Sequence, residues 1–400
     1  MRILYVQPGP GIGGAKISLA SLLGSKPPEQ LCQVALSSPP DLEYVRTVGG
    51  FTEKIHHLYL PTWQKKQSAG LRKQFLFAIS RLIRGGYLVP TARLASIIVK
   101  EHIDIVHTNS SVCPVGAFAA FLTRRPHIWH VREPLERDGG FLLAPGGRLA
   151  ACLFKYLSAA IVCNSQYTAG FFRQYGMQPR VIYNGIRLEE FRNSQERGQL
   201  LRDQLNLRRR DPVVGMVGSL GAQWKEHGLF LHTAAFVYNN YPTCQFVVFG
   251  GLSDLEANLY TKSLRELAAR LQITPNLTWA GFENDIPALM HSLDILVHPT
   301  SQEGSGRVIM EAMSAGKPVV SVRSGGVQEL IQDNETGFLV PPKEPQTLAN
   351  GIEKLLEDPT RRHQMGEAAR VYAWQHFSLD KTVESIQSLY REISSARAMR

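Results

Sequence analysis

The stretch Pro299–Gly326 holds two glutamates, Glu303 and Glu311, around the turn Gly304-Ser305-Gly306-Arg307. It follows an apolar run, Ile295–His298, that reads as a strand, and it leads into a helical pattern. On a helix starting near Ser305, Glu311 lies about two turns in. The amides of residues 305–308 then sit at the helix N-terminus, where unpaired N–H groups and the helix dipole favour an anion. Carboxylates above and below such a site can accept hydrogen bonds from vicinal hydroxyls, which sugars and riboses carry. A capped amphipathic helix with two solvated glutamates has the same pattern, and by pattern alone it is the commoner case.

A second candidate is the glycine loop Gly9-Pro10-Gly11-Ile12-Gly13-Gly14, which follows a short apolar run. Gly9, Gly11 and Gly14 match G-x-G-x-x-G, the dinucleotide fingerprint of an oxidoreductase. That fingerprint also needs an acid at the end of the second strand to hold a ribose. Here the second strand ends Leu36-Ser37-Ser38-Pro39. The preferred reading is an anion site made of free amides at a helix N-terminus. Three histidines lie in strand-like runs. His107 and His127 read as satisfied core or edge residues. His130 ends a strand, on the side where ligands reach a doubly wound sheet, and is given a role in the cleft.

These residues need a frame. Strand-like runs at residues 3–6, 33–36, 103–107, 127–130, 160–163 and 180–183 alternate with helical patterns, and so do those at 213–217, 245–249, 277–280, 295–298 and 318–322. Such alternation predicts parallel sheets with right-handed crossovers. The segment 187–210 is polar and strand-free, and Val213–Gly218 then repeats the logic of the first strand. The expected class is α/β, two Rossmann-like doubly wound domains with an interdomain cleft. Expected boundaries are 1–186, 187–370 and a terminal helix, 371–400, packing back across the junction.

Composition limits the partners. No apolar run approaches the ~18 residues of a membrane-spanning helix, and the N-terminal run is too short for a signal peptide. The five cysteines are scattered, with no C-x-x-C pair, so neither a disulfide framework nor a zinc site is expected. A reduced, cytoplasmic protein follows. The charge is lopsided: residues 1–185 hold 21 Lys and Arg against 9 Asp and Glu, whereas the rest holds 23 against 25. Within 54–100, Leu71, Phe75, Ile79 and Leu82 follow helical spacing beside Arg72, Lys73, Arg81 and Arg84. One reading is a core-facing helix with a solvated basic face. The other is peripheral contact with an anionic membrane at its inner face. No nucleic-acid motif accompanies the charge.

Taken together, Glu303-x7-Glu311, Ala312-Met313, Gly316-x-Pro318-Val319-Val320 and Gly325-Gly326-x-x-Glu329 resemble the retaining family 4 glycosyltransferases of GT-B fold. So do Gly13-Gly14-Ala15, Asp104–Asn109, Val162–Ser165, Tyr183–Ile186 and Gly218-Ser219-Leu220 with Lys225. The resemblance spans nearly the whole chain. It implies transfer of a sugar, with retention, from a nucleotide-diphosphate sugar to a glycan or lipid-linked glycan. Glu311 would bind the donor ribose, Glu303 the transferred sugar, and Lys225 the diphosphate. Gly13, Gly14, Gly218, Ser219, Gly304, Ser305, Gly306 and Arg307 would complete the donor site, with Glu303, His130 and Lys225 at the chemistry. His107, Asn109 and Arg132 are acceptor-side candidates. No cofactor is implied, and with no D-x-D metal motif Lys225 and helix dipoles stand in for a metal.

The chain departs from the family pattern at four places. Ser219 stands where the family often has a phosphate-binding arginine, for which Arg307 or Arg132 could substitute. Glu226 follows Lys225 where glycine is usual, Asn109 replaces a histidine, and Arg187 follows Asn184-Gly185-Ile186 where aspartate is usual. Ser219 and Asn109 support an alternative, a catalytically degenerate sugar-nucleotide-binding protein.

Overall fold

The computed structural model describes all residues except 10–12, 38–41, 64–85, 136–141, 144–145, 252–254 and 399–400. Gly11 of the glycine fingerprint and the basic amphipathic run 71–84 lie outside the described residues. The chain forms two compact units, Met1–Gly185 with Leu379–Arg400, and Ile186–Ser378.

The first unit carries a parallel sheet of β1 (Arg2–Gln7), β2 (Leu31–Ser37), β3 (Lys54–Leu58), β4 (Ile105–Thr108), β5 (His127–Val131), β6 (Ala160–Cys163) and β7 (Arg180–Val181). Their order is β3-β2-β1-β4-β5-β6-β7. The order reverses between β1 and β4, which pair in parallel from Ile3–Ile105 to Val6–Thr108. The central strands are largely apolar because both faces are covered. Ile3 and Tyr5 pack with Ile386, Leu389 and Tyr390 of the terminal helix Leu379–Ala398, while Leu4 and Val6 pack with Leu94, Ile98 and Val106 on the other face.

The second unit repeats the plan with β8 (Val213–Val217), β9 (Gln245–Phe249), β10 (Leu277–Gly281), β11 (Ile295–His298), β12 (Val319–Val322) and β13 (Gly337–Val340). All are parallel, in the order β10-β9-β8-β11-β12-β13, with the reversal between β8 and β11. Two apolar clusters, one around Leu296, Met310 and Met313 and one around Phe230, Phe246 and Leu348, cover the two faces.

Three features differ from the sequence reading. Strands β3 and β13 were not predicted: β3 reads Lys-Ile-His-His-Leu, polar as suits an edge, and β13 opens on Gly337. The helix after Glu303 begins at Arg307, not near Ser305, because Gly306 takes the left-handed φ of 76° as its N-cap. The expected boundary at 370/371 falls inside the helix Pro359–His376, which Asp358 caps by accepting the Arg361 N–H at 2.9 Å. The break comes between Ser378 and Leu379 instead: Ile186 N–H donates to Phe377 O at 2.9 Å within the second unit, and Thr382 donates to Tyr183 O at 2.9 Å within the first.

Candidate functional site

In doubly wound sheets ligands bind outside the carboxyl ends of the strands, where the strand order reverses. In the second unit that point lies between β8 and β11. Gly218 and Ser219 follow β8, and residues 299–306 follow β11. Lys225 Nζ donates to Glu303 Oε2 at 2.7 Å, which joins the two loops. The stem of Lys225 passes so close over Gly218 that a Cβ there would lie 3.2 Å from Lys225 Cγ. Glycine at 218 therefore lets the lysine lie down along the strand end.

Glu303 is held from three sides. Besides Lys225, His298 Nε2 stands 3.6 Å from its Oε2, and its backbone carbonyl accepts from Gly326 N–H at 3.0 Å. Burial works to raise its carboxyl pKa, but the Lys225 ammonium and the His298 imidazole overcome that and hold it well below the usual range. His298 is itself kept below its ordinary value, burial outweighing the neighbouring carboxylate. His298 was not among the sequence candidates, although it ends the strand that feeds the loop.

Glu311 lies one turn into the helix Arg307–Ser314 and is buried. Arg307 Nε donates to Glu311 Oε1 at 2.7 Å. Burial raises the Glu311 pKa and the guanidinium opposes this. Gly304, Ser305 and Gly306 are buried at the mouth of this helix, whose first amides supply the positive end of a dipole. Glu226, in the place where glycine was expected, takes the left-handed φ of 59°. Its carboxylate accepts hydrogen bonds from the Ser301 amide at 3.3 Å and from the Ser301 hydroxyl.

In the first unit, Gly13 caps the helix Gly14–Gly24, accepting Lys16 N–H at 2.9 Å, and open space surrounds the Cβ positions of Gly13 and Gly14. Asn109, just past β4, is fully committed. Its Nδ2 donates to Gln7 Oε1 at 2.5 Å and to Ala15 O at 3.0 Å, and its Oδ1 accepts from Arg132 Nε at 2.6 Å. Arg132 also donates to Asn184 Oδ1. Asn109 thus braces the glycine loop and holds Arg132 in place, and its neutral amide has no basic lone pair to offer.

His107 and His130 are brought together, Nε2 to Nδ1 at 3.1 Å, with Tyr390 Oη 2.6 Å from His107 Nδ1. Burial, then the charge of Arg132, pushes both imidazoles far below their ordinary value, so both are neutral. His127 bonds Thr108 at 2.8 Å and is pushed down to about 3 by burial, while its Nδ1 is buried with no hydrogen-bond partner among the described residues. Tyr5 and Tyr390 escaped sequence reasoning, and Asn184 was noted only as part of the motif Tyr183–Ile186. Tyr390 is 283 residues from its partner His107, and no local pattern marks such a pair. All five cysteines are free, and Cys163 and Cys244 fill core. Among the described residues no group of three His, Cys, Asp or Glu could hold a metal, and no helix is long and apolar enough to cross a membrane.

Comparison with known proteins bears on both units. The family model described as Glycosyltransferase Family 4 matches residues 46–190, and that for Glycosyl transferases group 1 matches residues 199–372. The chain is 28% identical over 315 residues to the UDP-Gal:alpha-D-GlcNAc-diphosphoundecaprenol alpha-1,3-galactosyltransferase of Escherichia coli, covering 74% of this chain and 77% of that one. It is 26% identical over 371 residues to an uncharacterised glycosyltransferase of Methanocaldococcus jannaschii, covering 88% and 97%. The crystal structure of Anabaena Alr3699/HepE in complex with UDP-glucose superposes with a TM-score of 0.81 at 25% identity, covering 98% of this chain and 100% of that one.

Proposed function

The chain belongs to the GT-B glycosyltransferases of family 4 type, and from that premise we propose that it transfers a sugar, with retention, from a uridine-diphosphate sugar to a glycan or lipid-linked glycan. One observation carries the donor reading. Lys225, Glu303 and the N-terminus of the helix bearing Glu311 converge at the carboxyl ends of β8 and β11, at the point where strand order reverses. The uridine base and the acceptor class rest on the UDP-glucose bound by the Anabaena protein and on the activity named for the Escherichia coli relative.

The chemistry follows from the charges. Breaking the bond between sugar and diphosphate leaves positive character on the sugar and adds negative charge to the phosphate. Lys225 and the helix amides, already fixed in place, stabilise that added charge without reorganising. In the free protein Lys225 rests on Glu303. On donor binding the diphosphate takes the ammonium, and Glu303 is released to accept from sugar hydroxyls. Glu311 exchanges Arg307 for the ribose hydroxyls, which turns Arg307, four residues away on the same helix, towards the phosphates in place of the arginine missing at 219. In this reading no metal takes part, and a chelator leaves turnover intact.

Thermal denaturation with UDP-glucose, UDP-galactose, UDP-N-acetylglucosamine, GDP-mannose and ADP-glucose tests the reading. A true donor at 100 times its Kd stabilises by about 2.7 kcal/mol, a shift on the order of 5–10 °C for a unit of this size. A uridine sugar is expected to act. No shift with any of the five would defeat the donor assignment, and binding without hydrolysis or transfer would favour the degenerate binding protein.

A further inference from the structure

Four buried side chains form one hydrogen-bonded line through the first unit. Tyr5 Oη lies 2.7 Å from Tyr390 Oη, Tyr390 Oη lies 2.6 Å from His107 Nδ1, and His107 Nε2 lies 3.1 Å from His130 Nδ1. A neutral imidazole has one donor nitrogen and one acceptor nitrogen. The protons of the two imidazoles must therefore both point one way along the line or both the other. One direction leaves His130 Nε2 as a bare lone pair, a base. The opposite direction leaves it as N–H, a donor.

Arg132 chooses between them. Its Nη2 stands 3.5 Å from His130 Nδ1, and a guanidinium can only donate. A proton on that Nδ1 would point at a fixed cation, so Nδ1 is the lone pair. His107 then donates from Nε2, its Nδ1 accepts from the Tyr390 hydroxyl, and Tyr390 accepts from Tyr5. The proton of His130 remains on Nε2. That atom is buried and has no hydrogen-bond partner among the described residues, and it sits on β5, whose carboxyl end faces the ligand side of the sheet. We propose that Arg132, His107 and Tyr390 fix His130 as the Nε2–H tautomer, so that this histidine gives a hydrogen bond to an oxygen of the bound substrate and does not remove a proton. Tyr390 is then a positioning residue, and the terminal helix that carries it is part of the apparatus of the site. The substrate's part in this rests on the glycosyltransferase reading; the tautomer does not.

The charged and titratable groups facing the line are few. Arg132 lies near both imidazoles, His127 near His107, and Cys32 near Tyr5 and Tyr390. Burial keeps both imidazoles neutral, as the line requires.

The test is nitrogen NMR of the full chain labelled in histidine, without ligand, with His107 and His130 assigned by single substitutions. Both rings are expected to carry the proton on Nε2. A proton on Nδ1 of either ring overturns the proposal. Tyr390→Phe should move the His107 Nδ1 resonance towards that of an unbonded lone pair, whereas Tyr5→Phe should leave it in place. An unmoved resonance in folded Tyr390→Phe also overturns it. Should that variant not fold, 3-fluorotyrosine in the wild-type chain makes the same hydroxyl a stronger donor. The His107 Nδ1 resonance must then shift the opposite way, and its failure to move counts against Tyr390. The spectra are read in the free protein, so they can succeed where the donor panel fails, and fail where it succeeds.

Discussion

Glu311 and Lys225 are both occupied before any donor arrives, and this shapes what their loss would do. In the proposed donor site Glu311→Ala would remove the acceptor for ribose hydroxyls, and it would also strand Arg307, whose Nη1 is buried with no hydrogen-bond partner among the described residues. A hydrogen bond to a charged group contributes about 1.5–3 kcal/mol, so donor affinity should fall roughly ten- to hundredfold. Calorimetry on the folded variant checks this, and an unchanged dissociation constant would remove Glu311 from the site. Lys225→Ala should lower kcat more than it raises KM, because the ammonium meets charge that grows in the transition state. Equal turnover would pass the diphosphate to Arg307. Arg132 cannot take that duty as it stands, being held by Asn109 and Asn184.

The loop between β8 and the helix His227–Asn240 shows how one departure from the family pattern is accommodated. Glu226 occupies a left-handed conformation that glycine adopts freely, at φ 59°. The strain is offset by the bonds its carboxylate accepts from Ser301, which tie the loop of Lys225 to the loop of Glu303. Alanine at 226 would keep the strain and lose the bonds, whereas glycine would lose only the bonds. Glu226→Gly should therefore be more stable than Glu226→Ala by about 1 kcal/mol, or roughly 2–4 °C in Tm. Thermal unfolding of the pair decides it, and equal midpoints would mean that the backbone at 226 carries no strain. This departure was visible in the sequence as Lys225-Glu226, but its compensation was not, since Ser301 lies 75 residues away.

Over the whole molecule the charge excess belongs to residues 1–185, with 21 basic and 9 acidic side chains. If it serves a lipid-linked acceptor, the protein should cosediment with anionic vesicles and not with neutral ones. Each basic residue near such a surface contributes about 1 kcal/mol, and the attraction decays over a Debye length, so binding should fall steeply with salt. Replacing Arg72, Lys73, Arg81 and Arg84 together by glutamine should abolish it without affecting donor binding. Equal binding to both vesicle types would leave the charge as a solvated face. Stability should depend on pH as well. His107, His127, His130 and His298 are all held below their ordinary value of 6.5, chiefly by burial. Below that pH the unfolded chain takes up protons that the folded chain refuses, so stability is full above it and falls as the pH drops. Urea midpoints at pH 7.5 and 5 check the sign, and His127→Asn should flatten the slope.

The sequence by itself determined most strands of the parallel sheets, because strands buried on both faces are largely apolar and therefore declare themselves, whereas the polar edge strand β3 and β13 did not. It also singled out Glu303 and Glu311, since they follow a strand whose end opens on the ligand side, whereas Lys225 was named through the family resemblance and its bond to Glu303 is supplied only by the fold. What it could not decide were contacts between distant segments. The Asn109 that looked like a lost base is a brace because Gln7 at the end of β1, Ala15 in the first turn of the helix Gly14–Gly24 and Arg132 just past β5 all come to it. The pair His107 and Tyr390 exists only because the chain, after building its second unit, returns a helix to the first sheet. Side-chain period reports which face an element buries, whereas the partner that meets that face is chosen by packing, and packing is a property of the folded chain.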